Sequence, residues 1–355
     1  MLESKINSES INQKRWKKFK SIKRGYYSFI LIIGLYLLSF LLPILVSSKA
    51  LVVNYEGKFY FPAFRDVMPG MNSYYDGSIF DQEEPGEANY RQLKLRWQGS
   101  DNWIIMPIYP FNPFEDITND ENKMYESPSI THWLGTDNTG RDVFARMCYA
   151  FNISISFSLI LTVLNYIIGI SVGAAMGYFG GKFDLFFQRI IEIWSSLPLL
   201  FVVIIISSIL TPSFTLLILI YTLVNWIGLT YYMRAEFYRE KSKDYVSAAI
   251  SIGQSNTRII FRHILPNSLV PVITYFPFAI VGGIIILTSL DFLGFGLPPP
   301  TPSWGQILYV GLSNISKWWM VFAPIMAQFF TLLSIVFIGE AVREAFDPKI
   351  YSRLR

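Results

Sequence analysis

An all-α membrane protein with six transmembrane helices, carrying a partly β insert between the first and second, is the fold class this sequence predicts. Three observations lead there. Of the 355 residues 52% are apolar and only 16% are charged, where an ordinary soluble domain carries about 25% charge. Six stretches approach or exceed the roughly 20 apolar residues a spanning helix needs. Between the first two lies a long polar segment with strand-like alternation. Mean hydropathy is +0.35, and 29 Phe and 21 Tyr suit wide membrane interfaces. The net charge of +4 is too small to suggest nucleic acid as a partner. The single cysteine, Cys148, excludes an intrachain disulfide and a Cys-pair metal site.

A basic stretch, residues 1–25, precedes the first span, residues 26–46 (YYSFILIIGLYLLSFLLPILV), which contains no charge. A cleavable signal peptide has a shorter apolar region of roughly 7–15 residues and a small-residue cleavage site. This stretch is longer and its site is poor, so it reads as a retained anchor. Residues 47–149 form the insert. Acidic residues outnumber basic ones there, Leu51–Phe61 reads as a hairpin turning at Glu56-Gly57, and Met68–Glu87 reads as loop. Five further spans fall in a core over residues 150–340: about Ala150–Tyr178, Arg189–Leu210, Phe214–Tyr232, Leu269–Leu290 and Val321–Gly339. Thr211, Pro212 and Ser213 make a tight turn between two of them. Gly169, Ser171, Gly173, Ala174 and Gly177 allow close helix approach. Pro198, Pro271 and Pro277 are expected to kink their helices. Residues 341–355 form a tail.

Lys and Arg set the orientation. Lys5, Lys14, Arg15, Lys17, Lys18, Lys20, Lys23 and Arg24 crowd ahead of the first span and are expected to stay inside. Six crossings then place the insert outside. They place Arg234–Asn267 inside with Arg234, Arg239, Lys241, Lys243, Arg258 and Arg262. Asp291–Met320, with one lysine, falls outside, and the tail with Arg343, Lys349, Arg353 and Arg355 falls inside. Both termini are therefore expected to be cytoplasmic. The basic run also suits anionic lipid, but topology alone accounts for it.

The motifs of common catalytic chemistry are absent. Gly57-Lys58 and Gly181-Lys182 are each followed by Phe and lack the upstream glycine of a phosphate loop. HExxH, CxxC and the nucleophile elbow are missing. His132 and His263 are too far apart in sequence to suggest a pair. Arg189 and Glu192, at i and i+3, can pair on one helix face. No acidic or histidine relay sits at mid-depth in a span, as an ion-coupled carrier would need. No catalytic residue, metal site or bound cofactor is assigned, and the driving energy is expected from a partner.

The inside loop, residues 241–267, reads KSKDYVSAAISIGQSNTRIIFRHILPN. Asp244 suits an N-cap. Tyr245, Ala248, Ala249 and Ile252 follow on one apolar face, and Gly253 stops the helix. Ser255 or Asn256 starts a second helix carrying Ile259, Ile260 and Ile264 to a break at Leu265-Pro266. Periodicity leaves open whether this loop docks on another protein or packs back on its own bundle.

Ala248, Ala249, Gly253, Leu265 and Pro266 match in type and spacing the EAA loop of binding-protein-dependent ABC importer permeases, which this loop resembles. Ser247 departs, standing where many members have Glu, and so does His263, where an aliphatic residue is common. The first departure removes the capping-box partner of Asp244. His132–Ile155, Leu290–Leu308 and Gly339–Lys349 are similar to segments of the peptide (Dpp/Opp) branch of that family. Asn12–Ser28, Val52–Phe64 and Asp291–Pro298 narrow the likeness to its Yej-type subgroup, importers of oligopeptides and the peptide-nucleotide microcin C. The resemblance implies a type I ABC importer permease fold in a bacterial inner membrane. It implies as partners a second permease, ABC ATPase subunits or one fused double ATPase binding ATP–Mg, an outer peptide-binding protein and a peptide substrate. It also implies that Asp244, Tyr245, Ala248, Ala249, Gly253, Leu265 and Pro266 couple the chain to the ATPase. On the outer side Gly135, Thr136, Asp137, Gly140, Arg141 and Asp142 form a family motif with three readings: an Asp-capped turn, a contact for the binding protein, or a gate element. Trp133 and Trp304 read as interfacial anchors, and Gly294 and Gly296 as turn residues. No residue is assigned to substrate. An ion-coupled secondary transporter and a membrane-anchored receptor subunit are the competing classes.

Overall fold

A computed structural model describes residues 10–67, 75–83, 86–116 and 124–347. The chain divides into two compact units. One comprises Met1–Ile32, Ile155–Leu287 and Phe330–Arg355; the other comprises Ile33–Ser154 and Thr288–Phe329.

Helix α1 (Ile11–Ser21) opens with a reciprocal capping box between Ser10 and Gln13. Helices α2 (Lys23–Ser39) and α3 (Leu42–Leu45) follow. The expected anchor over residues 26–46 is thus not one helix. Pro43 has no N–H to continue the ladder from Ser39, so the chain breaks at Phe40-Leu41 and restarts with Pro43 in the first turn.

The insert holds β1 (Val52–Tyr55), β2 (Lys58–Tyr60), α4 (Pro62–Val67), a 3-10 turn (Gly77–Phe80), α5 (Tyr90–Arg96) and β3 (Trp103–Ile105). Its antiparallel sheet has the order β2-β1-β3. The expected hairpin is present, with Tyr55 opposite Lys58. Glu56 (φ 49°) and Gly57 (φ 76°) are both left-handed, as a two-residue turn matched to strand twist requires. Val53, Phe80, Tyr90, Leu93, Trp97 and Ile104 form a core of their own. Within the expected Met68–Glu87 loop, residues 68–74, 84 and 85 lie outside the described residues; Asp76 caps the 3-10 turn through Ser78 N–H at 2.9 Å.

Beyond the insert come α6 (Val143–Phe179), α7 (Gly181–Ser195), α8 (Leu199–Ile209), α9 (Phe214–Lys241), α10 (Asp244–Ser251), α11 (Asn256–Arg258), a π turn (Ile259–Ile264), α12 (Leu265–Leu293), α13 (Trp304–Ser313) and α14 (Trp318–Phe346). Among the described residues four helical runs are long and apolar enough to cross a membrane: α6, α9, Asn256–Leu293 and α14. The pair α7 and α8, bent by 67°, makes a fifth if counted as one span. The bend falls at Ser196–Pro198, inside the expected Arg189–Leu210 span, with Pro198 as the N-cap of α8. Pro271 and Pro277 lie within a continuous α12. The last helix runs on to Phe346, past the expected boundary at residue 340.

In the first unit, glycines set how closely α6 meets α9. A Cβ on Gly173 would lie 2.5 Å from the Thr230 carbonyl oxygen, and one on Gly177 2.5 Å from Phe237 Cβ, so only glycine permits this packing. Helix α1 seats Phe19 against Ala341 and Ala345 of α14, with Lys18 bonded to Glu344 at 2.8 Å. In the second unit Trp304 is not an interfacial anchor. It is 1% exposed and its indole N–H donates to the Met147 carbonyl at 3.2 Å. Trp133 is half exposed. Gly294 takes φ +81°, and a Cβ on Gly296 would collide with Asp291, so both are turn residues by necessity.

Candidate functional site

The loop after α9 is organised by Glu240, which the sequence reading did not single out. Glu240 is 2% exposed. Its carboxylate accepts from Lys243 Nζ at 2.6 Å and from the Tyr245 hydroxyl at 2.8 Å. These bonds fix the turn into α10. The residue that leaves helical geometry is Lys243 (φ −83°, ψ 148°), so Asp244 is the first helical residue and not the N-cap. An exposed carboxylate in that first turn still complements the helix dipole. Burial and the Glu240 bond both push the Tyr245 phenol up from its ordinary value.

The expected apolar face of α10 is divided. Val246 and Ala249, at i and i+3, are buried among Tyr178, Met233, Phe237, Ile259 and Ile264. Tyr245, Ala248, Ile250 and Ile252 are exposed, Ile252 at 73%. Ala249 is therefore a packing residue, while Ala248 belongs to the outward surface. Gly253 takes φ +75° and closes the helix with a paired motif: its N–H meets the Ile250 carbonyl at 2.9 Å and Gln254 N–H meets the Ala249 carbonyl at 3.2 Å. No atom lies within 4 Å of a Cβ there, so the left-handed backbone alone calls for glycine.

The return strand of the loop departs from expectation. Leu265-Pro266 does not break the helix; the π turn Ile259–Ile264 runs directly into α12. A proline clashes with the carbonyl four residues before it, and a widened turn at that point relieves the clash. Leu265 packs against the cluster that holds Val246, whereas Pro266 is exposed. His263 Nε2 meets Gln254 Oε1 at 2.7 Å. Asn267 Nδ2 donates to the His263 carbonyl at 3.0 Å and to the Tyr245 hydroxyl at 3.3 Å. The unusual histidine is thus one tie across the loop. Behind it, Asp184 of α7 accepts two bonds from Arg234, both 2.6 Å, and one from Tyr238 at 2.8 Å.

The outer motif is a tightly bonded turn leading into α6. Asp137 Oδ1 accepts from Thr139 N–H, Thr139 Oγ1 and Arg141 N–H at 2.9, 2.9 and 3.0 Å. Asp142 Oδ1 accepts from Ala145 N–H at 2.7 Å, a cap on α6. Its other oxygen meets the Tyr109 hydroxyl at 2.6 Å and His132 Nδ1 at 2.7 Å. Thr136 Oγ1 accepts from Glu126 N–H at 2.8 Å, and Arg141 Nε donates to Asp116 at 2.5 Å. Gly135 and Gly140 have φ of +69° and +79°, and a Cβ on Gly135 would lie 2.3 Å from the Glu126 carbonyl oxygen. Burial, then the Asp142 bond, pushes the Tyr109 phenol far up. The network through Tyr109 and His132 escaped the sequence reading because its members lie up to 33 residues apart.

Several helices long and apolar enough to cross a membrane define the chain as a multi-pass membrane protein. Residues 169–351 match the family described as binding-protein-dependent transport system inner membrane component, and the chain belongs to that family. It is a permease subunit of an ABC importer, a transport component. The chain is 40% identical over 340 residues to the inner membrane ABC transporter permease protein YejE of Escherichia coli (strain K12), covering 95% of this chain and 97% of the relative. It is 39% identical to the peptidoglycan transport system permease protein YejE of Agrobacterium fabrum, covering 95% and 93%. The dipeptide transport system permease protein DppC of Bacillus subtilis is 32% identical over 70% of this chain and 78% of its own length.

Proposed function

We propose that this chain is one of two permeases forming the path of an ATP-driven peptide importer, with α10 as its contact to the ATPase. The observation that carries the coupling role is the division of α10: Val246 and Ala249 rooted in the core, Tyr245, Ala248, Ile250 and Ile252 outward. A helix rooted in this way transmits a push on its outer face to α6, α9 and α12 as one body. Docking that differs between two states of the ATPase then shifts the permease between inward- and outward-facing forms. ATP and Mg²⁺ belong to that partner. Oligopeptides are the substrate class, supported by the peptide-transport names of the relatives; microcin C-like compounds share the peptide portion. Peptidoglycan fragments are a second class, favoured by the name of one relative alone. The N-terminal lysines and arginines favour cytoplasmic termini.

Ala248→Glu and Ile252→Glu test the coupling. Each is expected to leave the permease inserted while ATPase activity stimulated by the outer binding protein falls about tenfold, the cost of burying an unpaired carboxylate at the contact. Normal stimulation with the ATPase still co-purifying would refute the role of α10.

A further inference from the structure

The three-stranded sheet of the insert has one face that no role assigned above uses. Strand pairing fixes which residues share it. Asn54 stands opposite Phe59 on one side and Trp103 on the other, and Val52 stands opposite Ile105. Partners directly across an antiparallel ladder project to the same face, as do alternate residues along a strand. The other face, with Val53, Tyr55, Tyr60 and Ile104, turns into the insert's own core. On the uncovered face Phe59, Trp103 and Ile105 are between 42% and 59% exposed, and Phe61, one residue past β2, falls in the same range. The Phe59 ring meets Trp103 edge-on at 6.1 Å, and the Phe61 ring meets Phe64 of α4 at 6.4 Å. The strand positions on this face hold no charged residue, and Asn54 is their one polar side chain. A sheet face in water ordinarily carries polar residues, and an exposed apolar patch marks an interaction surface.

What lies against this face follows from its place on the chain. Helix α4 packs against α3, the last turn of the first apolar run, and Ala63 N–H of α4 donates to the Ala50 carbonyl at 3.0 Å. The residues leading into α3, Leu37, Leu38, Phe40 and Leu41, are exposed, as the lipid-facing side of an anchor is. Phe61 and Phe64 thus sit where that lipid-facing run ends, and the patch continues from them to Trp103. We infer that this face of the sheet lies on the lipid bilayer, with Phe59, Phe61, Trp103 and Ile105 dipped into the leaflet that adjoins the insert. Tryptophan among large apolar side chains without charge suits the headgroup boundary. A protein partner would find one polar side chain here, where protein interfaces carry about one hydrogen bond per 100–200 Å². The insert is then held to the membrane by its sheet as well as by its two chain connections.

The test uses the full chain in its assembled complex, in vesicles of phosphatidylethanolamine and phosphatidylglycerol. Cys148 is the single cysteine, so Cys148→Ser clears the chain for one spin label at Phe59→Cys or Ile105→Cys. Leu95→Cys is the reference: Leu95 is exposed on α5, whose Leu93 and Trp97 cover the opposite face of the sheet. Labels at Phe59 and Ile105 are expected to be relaxed more by oxygen, which concentrates in lipid, than by a water-soluble nickel chelate, with the order reversed at Leu95. An oxygen-to-nickel ratio no higher at these two positions than at Leu95 would overturn the proposal and leave the face in water. Labels there that neither reagent reaches would also overturn it, marking a protein on the face. A second measurement keeps the native cysteine. Lipids brominated in their acyl chains quench tryptophan emission on contact, and Trp103→Phe is expected to lose part of the quenching that the wild type shows. Quenching of the same extent in Trp103→Phe and wild type would count against the bilayer as the occupant.

Discussion

Glu240 shows how much one buried carboxylate decides. It is bonded by Lys243 and Tyr245, and its removal leaves an ammonium and a phenol at the root of α10 without their acceptor. Glu240→Ala is expected to loosen the loop by about 1–3 kcal/mol, seen as faster amide hydrogen exchange over residues 244–253 with the long helices unchanged. The signal in the sequence was a glutamate three residues before a lysine, too common to single out. On the outer side Asp116 makes a pH-dependent contribution. Its bond to Arg141 holds the carboxyl below its ordinary 3.8. A depressed folded-state value means stability that is present above about pH 4 and lost as pH falls through that lowered value. Asp116→Asn should therefore lower the thermal midpoint at pH 7, and the difference should shrink as pH falls through that lowered value. With the partners in contact with solvent, the effect at pH 7 should be modest.

At the scale of elements, legibility followed how local the determining interaction is. The hairpin was legible because Glu56-Gly57 occupies a turn that accepts two left-handed residues. Gly253 was legible for the same reason. Strand β3 was not, since three residues, Trp103–Ile105, show no usable alternation and their partner β1 lies some fifty residues earlier. For the apolar face of α10 formed by Tyr245, Ala248, Ala249 and Ile252, periodicity left open whether it turns outward or inward; packing against Phe237 and Ile259 buries Val246 and Ala249 and leaves the other three outward. The α6–α9 contact was anticipated from small residues alone, and it yields a sharp expectation. Gly173→Val should prevent the two helices from meeting, because its Cβ would lie 2.5 Å from a main-chain oxygen that cannot move aside. Protease-resistant protein should be lost from membranes, whereas Gly34→Ala, where a Cβ meets nothing within 4 Å, should be neutral.

For the whole molecule, the reading as an importer permease separates from its rivals by energy source. Uptake should collapse when ATP is depleted and persist under a protonophore; the reverse would favour an ion-coupled carrier. Composition and charge gave the membrane class, and the loop and outer motifs gave the family. The number of spans was less legible. Pro43 interrupts the first apolar run and the 67° bend divides the third, and hydropathy averaged over a window registers neither.

The docking of α1 on the end of α14 bears on how the chain is made. Phe19 has Ala341 and Ala345 as its neighbours, Arg24 has Glu340, and Gly25 lies so close to Ala341 that a Cβ would sit 2.2 Å from it. Helix α1 thus acquires its partner only after the long stretch of chain between Ser21 and Trp318 has left the ribosome. Until then Phe19 and its aromatic neighbours Trp16 and Phe29 present an uncovered surface, the kind of contact between distant residues that forms late. A chain terminated before Glu340 would keep that surface permanently. Quality-control proteases could then recognise an unfinished permease by its beginning.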